Sequence, residues 1–260
     1  MSSAASSGES LYQVWRKSRQ QEEKSDHPLR DDELVNTRIG SGSDHTVFLN
    51  HLGRPTVGLE FDGQYGVYHS MYDDHYWVEH FGDPGFHYHL IITRLWGTLA
   101  LRLADADVLP LDFASYAANI RAFAGDLDKN SKVQPNVDLA PLYSDIDEFE
   151  KAGKDLNAAV AAALASGRLN AAYAGRLNQQ LMQVELNWLA EQGIPGRPWF
   201  KHLLYAARYT YAHLELPGLT EAAEKADWKT AKEQVVLLEA AIKKNTELLR
   251  SAKEQLATSN

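Results

Sequence analysis

Cysteine is absent from all 260 residues. That excludes disulfides, thiolate nucleophiles, iron–sulfur clusters and Cys-type zinc sites, so any metal must rest on His, Asp or Glu. Basic charge is scarce: 26 Lys and Arg stand against 35 Asp and Glu, for a formal net charge of −9. Gripping nucleic acid takes clustered Lys and Arg, as does binding anionic lipid, so neither partner is expected. Long apolar runs are missing too. Leu95 to Leu101 is interrupted by Gly97 and Thr98 and falls far short of the roughly 20 residues that span a bilayer. Met1 to Ser10 (MSSAASSGES) has neither the basic start nor the apolar core of a signal peptide. Hydrophobic residues at 44% and charged residues at 23% are ordinary globular usage, which excludes wholesale disorder. A chain this long buries a sizeable core in one or two domains.

The pattern divides the chain. Residues 1–10 are small and polar and are expected to be disordered. Leu11 to Arg19 reads as a short helix and Gln20 to Asp32 as a charged loop. Val35 to Ile39 and Thr56 to Phe61 read as strands, with Asp62-Gly63 as a turn. Between them, Gly40-Ser41-Gly42-Ser43-Asp44 is a glycine-rich turn. Ser43 is its expected N-cap, a helix follows, and Gly53 is the helix stop. From Asp73 onward the signal is helical. Phe86 to Ala104 is apolar on most sides and is expected to be a buried helix. Further 3–4 spacings mark helices through Phe113 to Phe123, Leu142 to Leu164 and Tyr173 to Trp188. Val235, Leu238, Ile242, Asn245, Leu249, Ala252 and Leu256 form the seam of a long packed helix. The fold class is therefore α+β and mostly α. An α/β segment over residues 11–80 precedes an antiparallel helical bundle over 81–260. Two short strands make a poor independent sheet, so the α/β segment reads as the end of something larger.

Ten histidines are present, with no H-E-x-x-H or H-x-D among them. His87 and His89 fall on opposite helix faces and do not chelate together. His69 stands apart. It lies in GVYHSMYDD (Gly66 to Asp74), between a strand with a glycine turn and a helix, where open α/β sheets place ligands. On residues alone it is either a metal ligand beside an oxyanion-facing Tyr68, or half of a Tyr–His pair that packs a turn.

RIGSGSDHTVFLNHLGRPTVGLEFDGQYGVYHSMYDD (Arg38 to Asp74) resembles the closing part of the zinc peptidase domain in the glutamate carboxypeptidase II family, which is related to the transferrin receptor. GESLYQVW (Gly8 to Trp15) is similar to the segment before it. FGDPGFHYHLIITRLWGTLALRLADADVLPLDFASYA (Phe81 to Ala117) resembles the start of the family's transferrin receptor-like dimerisation domain. Gly196 to His202 (GRPWFKH) and Leu216-Pro217-Gly218 match landmarks near that domain's end.

The resemblance implies a reading of the chain. It would be the C-terminal remnant of an α/β zinc-peptidase domain, followed by the dimerisation bundle. These peptidases use two zinc ions and a Glu general base. His69 matches a zinc ligand and Tyr68 the tyrosine that hydrogen-bonds the oxyanion. Gly42 and Ser43 match a substrate-cleft loop, with Ser43 where the carboxypeptidase has Asn. Tyr211 matches a tyrosine that recognises the substrate's C-terminal carboxylate. The family's other zinc ligands lie upstream of this region, and Glu22-Glu23 sits in the wrong order to be the catalytic pair. The carboxypeptidase's cleft arginines align with Gly58 and Glu60, and its pocket lysine with Thr210, a departure from its pattern for acidic substrates. The chain alone is expected to be catalytically incomplete and to retain no zinc, with peptide substrate taken only by the full-length protein. Homodimerisation is expected through the bundle, whose apolar faces include Trp96, Trp188 and Trp228; internal burial of these tryptophans is the alternative. A non-enzymatic dimerisation module and a small-molecule-binding bundle are the other functions the sequence allows.

Overall fold

The computed structural model describes residues 8–24, 27–61, 63, 65–167, 169–209 and 211–258. Residues 1–7 of the expected disordered stretch lie outside the described residues, as do Asp62 of the expected turn and Thr210 beside Tyr211. In chain order the helices are α1 (Leu11–Glu22), α2 (His45–Leu52), α3 (His75–Trp77), α4 (His87–Ala104), α5 (Phe113–Asp128), α6 (Ala140–Ser166), α7 (Ala171–Leu186), α8 (Pro217–Glu224) and α9 (Trp228–Thr258). A hairpin of β1 (Tyr205–Ala207) and β2 (His213–Glu215) comes between α7 and α8. The architecture is mostly helical α+β, as the sequence indicates. Among the described residues no helix is long and apolar enough to cross a membrane. Two compact units result: Met1–Asn36 with Gly58–Asp105, and Thr37–Val57 with Ala106–Asn260.

In the first unit, α1 opens with a capping box. The Ser10 hydroxyl accepts from the Gln13 N–H and the Gln13 side chain accepts from the Ser10 N–H. The helix outruns its expected end because Arg19 pairs with Glu22 and Glu23, each at 2.6 Å, on its last turn. The following segment folds back onto it. Arg19 Nε donates to the Leu34 carbonyl at 2.9 Å, and the Gln20 side-chain oxygen accepts from the Leu29 N–H at 2.9 Å. Asp74 caps α3 by accepting from the Trp77 N–H. Two expectations fail here. Neither Val35–Ile39 nor Thr56–Phe61 is a strand. A strand needs a ladder partner, and among the described residues the one sheet is the β1–β2 hairpin, which neither segment joins. The helix α4 forms where expected, but none of its residues is buried. Its all-round apolar sequence is suited to burial that its own unit does not supply.

The second unit holds the core. Its most extensive helix contact is between α6 and α9. Asp145 pairs with Lys243, Glu148 with Arg250 and Asp155 with Lys253, so the partners advance together and the two helices run parallel. Between them α7 returns the chain. Its Gln180 reaches the Leu248 carbonyl and its Asn187 reaches Asn245, an antiparallel order. Likewise α5 lies antiparallel to α6, with Arg121 on Asp147 and Asp112 on Asn157. Every seam residue of α9 from Val235 to Leu256 is buried. Trp188 is fully buried, stacked on Tyr116 (ring centroids 5.7 Å apart) and edge-on to Phe149. Internal burial therefore holds for Trp188. Trp228 packs partly against the same core and Trp96 is exposed.

Candidate functional site

The segment Thr37–Val57 brings the glycine-rich turn to the hairpin. The Ser41 N–H donates to the Tyr211 carbonyl at 3.2 Å. Gly42 has φ +106°, and a Cβ there would overlap the Tyr211 ring. At Gly40 a Cβ would overlap the Tyr211 carbonyl. Only glycine allows two backbone segments to approach so closely. Tyr211 lies in the β1–β2 loop, which the Arg208 N–H closes by donating to the Ala212 carbonyl at 2.9 Å. The strands pair in register, Tyr205 with Glu215, Ala206 with Leu214 and Ala207 with His213. Thus Gly42 and Tyr211, 169 positions apart in the chain, are in contact, and the exposed Ser43 follows directly. Ser43 is not the N-cap that the sequence suggests. Asp44 holds that position without a side-chain bond, and the Ser43 carbonyl accepts from the Thr46 N–H instead.

A charged clamp that sequence reading does not anticipate holds this apposition. Arg38 donates to Glu215 on β2 at 3.1 Å and to Asp126 on α5, with its guanidinium over the Phe123 ring. Burial works against the Arg38 charge, but the Asp126 hydrogen bond and the nearby Glu215 outweigh it and raise its pKa above the ordinary value. The Asp126 carboxyl is held below its usual range, first by Lys129 and, against some burial, by Arg38. Arg38 and Glu215 lie 177 positions apart, so no local pattern marks the pair.

Tyr68 and His69 belong to the first unit. Their rings stack with centroids 3.9 Å apart, and both side chains are exposed. His69 has φ +57°, a left-handed conformation that costs a β-carbon-bearing residue energy. Its N–H donates to Asp73 Oδ2 at 3.3 Å. A zinc site takes three or four ligands. Among the described residues no three His, Asp or Glu side chains come together to hold a metal, so these residues by themselves do not fit a zinc centre. Glu22 and Glu23 are engaged by Arg19 on α1. The arrangement brings the Gly42–Ser43 turn against Tyr211 in one unit, and presents an exposed imidazole and phenol together at Tyr68-His69 in the other.

Comparison with known proteins adds the following. Residues 137–250 match the transferrin receptor-like dimerisation domain. The chain is 35% identical to the probable glutamate carboxypeptidase LAMP1 of Arabidopsis thaliana over 222 residues, which is 82% of this chain and 32% of that protein. It is 29% identical to the aminopeptidase NAALADL1 of Rattus norvegicus over 199 residues, 72% of this chain and 26% of that protein. It is 24% identical to the inactive zinc metalloprotease C354.09c of Schizosaccharomyces pombe over 212 residues, 74% of this chain and 26% of that protein. The chain spans about a quarter to a third of the length of these relatives.

Proposed function

Because the chain belongs to the transferrin receptor-like zinc peptidase family, we propose that it is the C-terminal part of a di-zinc exopeptidase, comprising the end of the peptidase domain over residues 11–80 and the dimerisation domain over 81–260. The observation that carries this reading is the seating of the Gly40–Ser43 turn on Tyr211. It lays the Tyr211 ring against the Gly42 backbone, and a tyrosine hydroxyl is a donor suited to a peptide's terminal carboxylate. In this reading Tyr211, Gly42 and Ser43 recognise substrate. His69 is one zinc ligand, and Tyr68 donates to the oxyanion of the tetrahedral intermediate. Zinc, when bound in the full-length protein, supplies the polarised water. The remaining ligands and the general base come from the rest of the relatives' length, so this chain alone is inactive. The bundle forms the homodimer.

NMR of the chain titrated with a simple dipeptide tests the recognition role. Shifts confined to residues 41–43 and 211, blocked by amidating the peptide's C-terminus, are expected. No shift there would overturn it. Stoichiometric zinc in the purified chain, with chelator-sensitive peptide hydrolysis, would overturn the assignment of incompleteness. A second reading, a non-enzymatic dimerisation module, is favoured by the match over 137–250 and by an inactive relative. It predicts a dimer that ignores peptides at residues 41–43.

A further inference from the structure

The hairpin that carries Tyr211 starts from a buried histidine whose two ring nitrogens are both committed. His202 has no exposed surface. It precedes β1 and bridges to Leu189, just beyond α7. Its Nε2 lies 2.8 Å from Glu185 Oε1 on α7, and its Nδ1 accepts from the Leu204 N–H at 3.1 Å. A nitrogen that accepts a backbone N–H carries no proton, so Nε2 holds the hydrogen and donates it to Glu185. Glu185 is itself only 5% exposed. From the other side the Tyr116 hydroxyl donates to both of its oxygens, at 3.1 and 3.2 Å. Burial, then the Glu185 charge, push the Tyr116 phenol well above its ordinary pKa, so it remains a donor. Glu185 is thus an acceptor towards both neighbours, and the tautomer of His202 follows from it.

We infer that His202 is a positioning residue: oriented by Glu185, it fixes the first amide of the hairpin at Leu204 and through the hairpin sets Tyr211 against the Gly40–Ser43 turn. The path is continuous. Leu204 leads directly into β1, its carbonyl accepts from the Leu216 N–H at 3.0 Å, β1 pairs with β2, and Tyr211 in the loop between them accepts from Ser41. The inference rests on the reading of that turn as the peptide-recognition surface, but its geometry is measured without a ligand.

Two substitutions separate the two nitrogens. His202→Gln keeps a donor where Nε2 stood and removes the acceptor for Leu204. His202→Asn keeps an acceptor near Nδ1 and gives up the reach to Glu185. Amide hydrogen exchange, read by NMR on the whole chain, is expected to be about tenfold faster at Leu204 and Ser41 in the Gln variant. Ile242 and Leu249 in α9 should be unchanged there, and the Asn variant should restore protection at Leu204 and Ser41. Ser41 exchange that stays at the wild-type rate in the Gln variant overturns the inference. So does equal loss at Ser41 in both variants. Loss that extends to Ile242 and Leu249 also overturns it, because it assigns His202 to the core as a whole. Nitrogen-15 shifts of wild-type His202 that place the proton on Nδ1 overturn it independently. A wild-type chain that ignores dipeptide would sink the recognition reading and leave these exchange results standing.

Discussion

Gly42 shows how one backbone angle shapes the candidate site. At φ +106°, with the Tyr211 ring where a Cβ would be, Gly42→Ala meets both strain and overlap. A loss of about 1–3 kcal/mol in denaturant unfolding is expected, together with faster exchange at Ser41. His69 is the opposite case. It already bears a side chain at φ +57°, and its exposed ring touches Tyr68. His69→Gly relieves that backbone conformation and should melt at or slightly above the wild-type temperature. A large drop in a calorimetric scan would show that the imidazole holds structure or metal in this chain. Asp112 caps α5, accepting from the N–H groups of Ala114 and Ser115. Burial opposes its charge, but bonds from the Ser115 hydroxyl, the Asn157 amide and those backbone donors outweigh burial and lower its pKa. A depressed folded value means that its stabilisation is complete above the ordinary value of 3.8 and fades as pH falls through the lower folded value. Asp112→Ala should therefore cost about 1 kcal/mol at neutral pH and progressively less below about pH 4, as urea unfolding at several pH values would show.

Among the elements, α9 is the one whose role the sequence displayed most fully. Its seven seam residues recur at helical spacing and all are buried. Leu249 is fully buried, so Leu249→Ala should cost about 2–5 kcal/mol. The ion pairs that flank the same α6–α9 contact are half-exposed. Lys253 and Asp155, at 45% and 44% side-chain exposure, should yield less than about 1 kcal/mol on Lys253→Gln, and less still in high salt. Comparable losses from the two variants would contradict a core-driven bundle. The hairpin is not legible in the sequence because three-residue strands carry too little alternation to register as a pattern. Conversely, the apolar residues at 35–39 and 56–61 have the composition of strands but join no sheet, because a strand depends on a ladder partner that local sequence does not specify.

On the scale of the whole chain, two units divide the candidate residues: Tyr68 and His69 in one, Gly42, Ser43 and Tyr211 in the other. The first unit leaves Tyr72, Tyr76, Phe81, Leu90 and Leu101 exposed, more apolar surface than a lone soluble unit normally shows. With a matched dimerisation domain in the chain, sedimentation at micromolar concentration is expected to give a dimer, and a clean monomer would refute it. Each protomer should carry far less than one zinc after metal analysis.

By itself the sequence determined most of the helices, the buried seam of α9 and the family, because these are written in local spacing and contiguous motifs, whereas the exposure of α4 was not legible in it. It also displayed the residue types of the site: a glycine-rich turn, a Tyr-His pair and a tyrosine late in the chain. Only the tertiary structure decided that Gly42 meets Tyr211, that Arg38 clamps β2 to α5, and that Glu185 and His202 share a proton-ordered contact in the core. Those are contacts between segments from 17 to 177 positions apart. Side-chain spacing along one element fixes its own face, whereas the partner across the gap is chosen by packing and by the need to satisfy buried polar groups.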